Sequence, residues 1–329
     1  MEEVRLGTIG SGKIVHQILD NVLRTEGIRL QSAYSRSKEK AEQLVKEYGG
    51  CSAYTDLSAM LADEAVNTVY IASPNLLHYE QAKAALLAGK NVICEKPFVT
   101  RAEQARELSA LARERHLVLA EAAPTTYLPN FRLLKEALPK IGRIRLVLSN
   151  YSQYSSRYDA FRAGEVLPAF DPAKAGGAIM DLGLYTLTYT IGLFGEPKSA
   201  TYLPNIERGI DTSGIAVLEY DGFRAVNICS KDCGAPCVCQ IQGTDGYIVS
   251  NTQPNRCGAV TLHLNDGTEE TYDLELPIMW EGEFREFLRQ QNEGDLEECY
   301  RQLDESLVVS RVQNTIRYES GVVFPADEA

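Results

Sequence analysis

The sequence predicts an α/β protein: a doubly wound parallel Rossmann sheet, followed by an α+β domain with a large, mostly antiparallel open sheet. Short apolar strands alternate with amphipathic helices up to Glu121, a pattern typical of parallel sheets with right-handed crossovers. From Ser199 to Leu274, short strands separated by Asp-Gly turns predict antiparallel hairpins. The chain has 329 residues, enough for two domains, which we place at 1–123 and 124–329.

Composition excludes several classes of protein. The hydrophobic fraction of 44% and the charged fraction of 24% are typical of a globular protein. A formal net charge of −12 opposes a phosphate backbone, so we expect no nucleic acid and no anionic membrane as partners. The acidic N-terminus does not look like a secretory signal, and no segment approaches the length of a membrane span, so we expect a cytoplasmic protein.

The chain has eight cysteines, which a cytoplasmic protein of this size should keep as reduced thiols. Four of them form a cluster between Cys229 and Cys239. Their spacing lacks paired Cys-x-x-Cys units, and alternation along a strand would place Cys237 and Cys239 on one face. Core packing is therefore favoured over zinc, and no metal site is predicted.

A glycine turn follows the first strand, Val4 to Ile9, and precedes a helix with apolar residues at Ile14, Ile18 and Leu19. In this turn Gly10 permits a tight bend, and Gly12 lets the backbone approach a pyrophosphate at the helix start. Val15 occupies the third glycine position, so the fingerprint is incomplete and we expect looser packing of helix on strand. The predicted dinucleotide-binding residues of the turn are Gly10, Ser11, Gly12, Lys13 and Ile14.

The second strand, Ile28 to Ala33, ends without the Asp or Glu that usually binds the ribose hydroxyls of NAD. Ser35, Arg36 and Lys40 instead supply a hydroxyl and positive charges suited to a 2′-phosphate. The sequence therefore favours NADP(H), with NAD(H) still possible. In the alternative interpretation, these charges merely start the solvated helix 38–48.

A third strand, Val66 to Ala72, runs into a loop that should lie beside the glycine turn and contact the cofactor. The predicted cofactor-binding residues there are Ser73, Asn75 and His78. His78 begins the next helix, and the alternative is that its ring only bonds to local backbone.

Glu95, Lys96 and Pro97 follow the apolar triplet Val92 to Cys94, which is best interpreted as a buried strand. The pair Glu95-Lys96 would then lie at the carboxyl end of a parallel strand, where open α/β sheets bind ligands. Pro97 ends the strand. The alternative for Glu95-Lys96 taken alone is a solvated surface ion pair.

Several motifs, in this order and spacing, resemble the glucose-fructose oxidoreductase, inositol dehydrogenase and rhizopine catabolism (Gfo/Idh/MocA) family over essentially the whole chain. These motifs are Gly10-Ser11-Gly12-Lys13-Ile14, Ser73-Pro74-Asn75 with His78, Gly89-Lys90-Asn91-Val92, Glu95-Lys96-Pro97 and Glu121-Ala122. The resemblance implies an NAD(P)-dependent oxidoreductase that forms a homodimer or homotetramer through the open sheet of its second domain.

A second set of candidate residues follows Gly176-Gly177. If 178–194 is a helix, Asp181 and Tyr185 share one face and together suit a sugar-like substrate. The motif is similar to the tyrosine form in glucose-fructose oxidoreductase and in the dihydrodiol and anhydrofructose reductases. In the alternative interpretation Tyr185 is core, because Tyr189 continues the same aromatic stripe.

Removal of hydride from a carbinol carbon requires a base that takes the hydroxyl proton as the carbonyl forms. We assign this role to Lys96, or to Tyr185 assisted by the charge of Lys96; the sequence does not rank the two. The resemblance implies that Asp181 orients the substrate and that Glu95 positions Lys96 and the nicotinamide. The expected substrate is a sugar, polyol or dihydrodiol. A dinucleotide-sensing regulator without catalysis is the alternative, although it would not need these residues.

Overall fold

The computed structural model describes residues 3–274, 276 and 280–327, so the ends of both predicted domains at 1–2 and 328–329 lie outside the described residues. The chain forms two compact units, Met1–Ala122 with Ile278–Leu307 and Ala123–Pro277 with Val308–Ala329. The first break lies next to the expected 123/124 boundary. The sequence assigned all of 124–329 to the second domain, and this was wrong for Ile278–Leu307, because local patterns do not show which distant segment a helix packs against.

The first unit contains a parallel sheet whose strand order, β3-β2-β1-β4-β5-β6, reverses direction between β1 and β4. A crevice at such a reversal, outside the carboxyl ends of the strands, is the usual ligand site of this fold. The prediction of a doubly wound sheet is confirmed. Its strands are β1 (Val4–Ile9), β2 (Ile28–Tyr34), β3 (Ser52–Tyr54), β4 (Thr68–Ile71), β5 (Asn91–Glu95) and β6 (Leu119–Ala122).

Helices of the first unit pack on this sheet through apolar faces. They are α1 (Lys13–Val22), α2 (Lys38–Tyr48), α3 (Leu57–Ala62), α4 (His78–Leu87), α5 (Ala102–Arg115), α9 (Glu281–Glu293) and the first part of α10 (Leu296–Glu319). Val15, expected to loosen α1 against the sheet, is fully buried. Its branched side chain is accommodated inside the core.

The sequence did not predict β3. This strand is only three residues long and lies at the edge of the sheet, where it pairs with β2 alone. None of its residues is fully buried, so it carries no apolar pattern that would distinguish it from a loop.

The second unit contains an open sheet with the order β14-β13-β12-β11-β7-β10-β9-β8. Its neighbouring strands pair antiparallel except for β7 and β10, which run parallel. The mostly antiparallel sheet predicted from the Asp-Gly turns is therefore confirmed. The strands are β7 (Ile144–Ser152), β8 (Ser199–Glu207), β9 (Ile210–Tyr220), β10 (Phe223–Ser230), β11 (Val238–Gly243), β12 (Gly246–Ser250), β13 (Val260–Leu264) and β14 (Glu269–Tyr272).

In the second unit, α6 (Pro129–Ala137) precedes β7, and α7 (Tyr158–Arg162) and α8 (Leu184–Phe194) lie between β7 and β8. The predicted helix 178–194 is instead a π-helical turn, Ile179–Gly183, that continues into α8. Such π-turns are rare and often occur at functional sites. Although α8 is largely buried, no helix among the described residues is both long enough and apolar enough to cross a membrane.

Candidate active site

The glycine turn has the geometry that a dinucleotide requires. Gly10 adopts a φ of +119°, and a Cβ there would lie 2.5 Å from the carbonyl oxygen of Ala72. Gly12 precedes α1, no side chain caps that helix, and a Cβ on Gly12 would meet no atom within 4 Å. Because the backbone amides at the start of α1 stay uncovered, they can approach a negatively charged pyrophosphate. The residues fit the predicted cofactor.

The end of β2 lies beside this turn. The Oγ atoms of Ser11 and Ser35 are 3.1 Å apart, so the glycine turn and the segment after β2 meet. Arg36 is exposed immediately before α2, whose first turn is capped when the Ser37 hydroxyl accepts from the Lys40 amide at 3.4 Å. Lys38 pairs with Glu42 on the surface of α2, so the solvated-helix interpretation describes Lys38 better than Arg36.

His78 ties two loops of the first unit together. Its Nδ1 lies 2.9 Å from the carbonyl oxygen of Pro97, and its Nε2 lies 2.9 Å from that of Ser73. The ring is buried, and this burial lowers the pKa of His78 although the carbonyls oppose the shift. Both nitrogens face the backbone, as the alternative interpretation expected. The ring therefore fixes the loops at the ends of β4 and β5.

Lys96 lies directly after β5, half-buried, in a turn that is held from several sides. Its own amide donates to Glu95 Oε2 at 3.1 Å, and the phenol of Tyr70 donates to Glu95 Oε1. The Phe98 amide donates to Glu121 Oε1 at 3.0 Å. Together with His78 on Pro97, these bonds preorganise the backbone that carries Lys96.

Three buried carboxyl groups of the first unit, Glu95, Glu121 and Glu283, interact electrostatically, and we call them the carboxyl cluster. Burial raises the pKa of Glu121 to about 7, and it also raises that of Glu95 against the opposing Tyr70 bond and Lys96 charge. Burial raises the pKa of Glu283 well above its usual value, and the other two carboxyls add to this. Like charges in so dry a place cannot all ionise at neutral pH, so the cluster holds protons.

In the second unit, the two glycines before the π-turn are enclosed by other groups. Gly177 has a φ of +108°, and a Cβ there would lie 2.1 Å from Asp211 Oδ1. Asp211 Oδ2 accepts from the Ile179 amide and from the Tyr202 phenol, both at 2.7 Å. Burial raises the pKa of Asp211 to about 6, although these bonds oppose it. Asp211 thus anchors the start of the π-turn that carries Asp181.

Asp181 and Tyr185 have different surroundings. Lys231 Nζ lies 2.9 Å from Asp181 Oδ2, and this lysine is almost fully buried whereas the carboxylate is 39% exposed. Tyr185 is buried, with its ring 5.9 Å from that of Tyr151. Tyr189, one turn later, packs edge-on against Phe131 in the core.

Two family models match the chain. One, described as an oxidoreductase family with an NAD-binding Rossmann fold, covers residues 4–122, and the other, a GFO/IDH/MocA C-terminal domain, covers residues 131–249. A relative from Bacillus subtilis strain 168, scyllo-inositol 2-dehydrogenase (NADP(+)), is 38% identical over 99% of this chain and 100% of its own. The chain belongs to the Gfo/Idh/MocA family. The predicted resemblance is thereby confirmed, and so is the expectation of an NAD(P)-dependent dehydrogenase that acts on CH–OH groups.

Two further similarities extend this result. Human trans-1,2-dihydrobenzene-1,2-diol dehydrogenase is 26% identical and matches 99% of each chain. The solved structure of KijD10, a 3-ketoreductase from Actinomadura kijaniata in complex with NADP and TDP-benzene, has a TM-score of 0.83 at 23% identity. It covers 96% of this chain and 98% of its own, so the two chains share a fold over nearly their whole length.

Sequence reasoning missed three residues that lie close to the candidate residues: Tyr70 and Glu283 in the first unit and Lys231 in the second. Glu283 carried a usable signal, because it is four residues before buried Phe287 and so lies on the apolar face of α9. Tyr70 lies inside an apolar strand, where a core role was the natural interpretation. Lys231 looks like a surface lysine after a strand, and its burial depends on distant segments.

Two cysteines border these arrangements: Cys94 Sγ donates to the Phe98 carbonyl at 3.8 Å, and Cys229 Sγ lies 3.7 Å from the Tyr202 hydroxyl. All eight are free thiols, and among the described residues no group of three or more His, Cys, Asp or Glu could hold a metal ion. Cys229 and Cys239 are buried, and burial raises the thiol pKa of Cys239 to about 12. Cys237 lies just before β11 and is partly buried, whereas Cys239 is buried inside the strand.

Proposed function

We propose that this protein is an NADP(H)-dependent oxidoreductase that transfers hydride between nicotinamide and a carbinol or carbonyl carbon of a sugar, polyol or dihydrodiol. The observation that carries the proposal is the turn at the end of β5, where backbone bonds to Glu95, His78 and Glu121 preorganise Lys96. A pure sensor of dinucleotides would have no use for an amine held in this way.

In the proposed mechanism, the bound cofactor accepts or supplies the hydride. Lys96 takes the hydroxyl proton during oxidation, either directly or through Tyr185, and the same groups return it during reduction. Asp181 orients the substrate through its hydroxyl groups. Glu95, held by Tyr70, positions the lysine. The uncovered amides after Gly12 bind the pyrophosphate, and Ser73, Asn75 and His78 shape the loop beside it.

We infer a preference for NADP(H) from the end of β2, where exposed Arg36 and the hydroxyls of Ser11 and Ser35 stand together without a carboxylate from that strand. The names of two relatives, scyllo-inositol 2-dehydrogenase (NADP(+)) and the D-xylose 1-dehydrogenase (NADP(+)) of Hypocrea jecorina, agree with this preference. The same names guide the choice of substrate, since both describe oxidation of a polyhydroxylated, uncharged ring.

The decisive test offers the protein NADP+ with scyllo-inositol, D-xylose or a trans-dihydrodiol and follows NADPH absorbance. At least one should be oxidised, and Lys96→Ala should lower its kcat by about 100- to 10,000-fold, the usual contribution of a proton-transfer group. Binding of NADP+ to this variant, measured by fluorescence, should stay normal. Retained turnover in Lys96→Ala would refute the assignment, and cofactor binding without turnover of any substrate would favour the sensor.

Cofactor preference has its own matched pair of variants. Arg36→Ala should raise the KM for NADP+ by about 10-fold or more while the KM for NAD+ stays constant, because a charge-assisted bond to the 2′-phosphate is lost. Lys38→Ala removes a neighbouring exposed charge that pairs with Glu42. If Lys38→Ala and Arg36→Ala raised the KM for NADP+ equally, the overall positive charge of this segment, and not a specific bond from Arg36, would explain the preference for NADP(H).

We also propose that copies of the chain associate through the second sheet. Exposed apolar side chains of Leu203 and Ile215 lie opposite each other on β8 and β9, and Leu146 and Tyr247 lie on the same face farther along. An apolar face of this kind is typical of interfaces. Sedimentation should show a homodimer or homotetramer that Leu203→Lys weakens; a monomeric wild type would contradict this.

A further inference from the structure

Lys231 is a buried lysine at the end of β10 with an unusual set of partners. Its side chain is 3% exposed. The ammonium donates to the carbonyl oxygen of Ala169 at 2.9 Å and to Asp181 Oδ2 at 2.9 Å, and it lies 4.9 Å from the centre of the Phe170 ring. A buried ammonium is costly unless it is paired and hydrogen-bonded, and these contacts stabilise the charge at this position.

The backbone around Lys231 is fixed independently of its side chain. The Lys231 amide donates to the Thr212 carbonyl at 2.8 Å. The next residue, Asp232, accepts from the hydroxyls of Thr212, Ser213 and Ser230 at 2.7, 2.8 and 2.9 Å. The lysine therefore projects from a rigid position.

The ion pair is asymmetric. Lys231 is buried, whereas the Asp181 side chain is 39% exposed and belongs to the π-turn. The Ala169 carbonyl also accepts from the Gly177 amide at 3.1 Å, so the segment before the π-turn is held by the same group as Lys231. A carboxylate accepts several hydrogen bonds and donates none, and a cation on one oxygen keeps it ionised and fixes its direction.

We propose that Lys231 is a positioning residue that holds Asp181 as an oriented, ionised acceptor for a hydroxyl group of the substrate. This inference rests on the proposed function, in which Asp181 contacts a polyhydroxylated substrate. It adds that Asp181 neither gives nor takes the reaction proton. It also predicts selectivity, because a carbonyl or carboxylate at that position of the ligand would face a fixed negative charge.

The experiment measures oxidation of scyllo-inositol by Lys231→Met and Lys231→Arg. The methionine variant should lose about 10- to 100-fold in kcat/KM, the equivalent of one charge-assisted hydrogen bond, mainly through KM for scyllo-inositol. KM for NADP+ should not change. Arginine keeps the charge and should restore part of the loss, which a purely structural role would not predict.

Lys90→Met is the matched control. Lys90 is also buried, but its ammonium donates only to backbone, to the carbonyls of Asp63 and Val66 at 2.8 and 2.7 Å. It should lower thermal stability and leave KM for scyllo-inositol unchanged. An equal rise of KM in both variants would overturn the proposal, because burial of a lysine alone would then explain the effect.

A double variant separates this inference from the proposed function. Asp181→Asn should lower kcat/KM, and adding Lys231→Met should cause little further loss because the lysine acts through the carboxylate. Full additivity would overturn the role of Lys231, whereas wild-type activity of Asp181→Asn would refute the contact of Asp181 with substrate. If scyllo-inositol is not oxidised, a crystal structure of Lys231→Met decides: a reoriented Asp181 supports the inference and an unmoved one overturns it.

Discussion

Carboxyl groups near the candidate residues differ in their charge partners between the two units. In the first, burial raises the pKa of Glu95, Glu121 and Glu283, and neighbouring carboxyl groups add to the shift of Glu121 and Glu283. In the second, Asp181 has the ammonium of Lys231 on its Oδ2. The same functional group thus lies beside other carboxyl groups in one place and beside an ammonium in the other. The difference shows that the charge partner, as well as burial, decides what a carboxyl group can do.

Neutralising Asp181 should have the largest effect on stability. Asp181→Asn removes the carboxylate that pairs with the buried Lys231, so we expect a loss of about 1–3 kcal/mol in the free energy of unfolding. Urea denaturation measures this loss. Adding Lys231→Met should recover part of it, and an unchanged stability of Asp181→Asn would contradict the charge balance inferred for this region.

Neutralising Glu283 should have the opposite effect on stability: it should remove a loss of unfolding free energy instead of causing one. The unfolded chain releases this proton above a pH of about 4.5, whereas the folded protein keeps it, because the pKa of Glu283 is raised. Wild-type stability should therefore fall as pH rises above 4.5, by at most about 1.4 kcal/mol per pH unit for one proton. Glu283→Gln removes this contribution, so its unfolding free energy should fall less steeply across the same range.

The control for this experiment is Glu293→Gln on the same helix, where the carboxylate is exposed and pairs with Arg289. It should leave the slope of stability against pH as in the wild type. If Glu283→Gln shows the wild-type slope as well, the cluster does not store a proton at Glu283.

The smallest effect is expected outside both regions. Lys38→Ala breaks an exposed pair with Glu42, and we expect a change below about 0.5 kcal/mol in thermal or urea unfolding. If Lys38→Ala lost as much stability as Asp181→Asn, an exposed ion pair would matter as much as one with a buried partner. This result would contradict the comparison of the two units.

Local sequence patterns predicted most of the fold. The apolar runs of β1, β2, β4 and β5 and the glycine turn before α1 each have a local signature, as do the Asp-Gly turns of the second sheet. The edge strand β3 has none. The π-turn before α8 was also missed, because a single wide turn leaves the apolar pattern of the following helix unchanged.

The candidate site was predictable only in part for a related reason. Lys96 and Asp181 stand in motifs with a readable order along the chain. Glu283 of the carboxyl cluster and Lys231 beside Asp181 come from segments far away in sequence. Lys231 does not differ locally from a surface charge, and Glu283 differs only by its place on the apolar face of α9, so the folded contacts are needed to reveal what they touch.

The return of α9 to the first unit has a consequence for synthesis of the protein. Phe284 packs against Tyr70 with ring centres 5.8 Å apart, and Leu303 belongs to the same core as β4 and β5. When residues up to Ala122 have left the ribosome, every strand of the Rossmann sheet has been made. Phe284 and Leu303, which complete its core, have not. The core of the first unit is complete only when translation is nearly finished. A fragment ending at Ala122 should therefore expose apolar surface and be bound by chaperones or degraded.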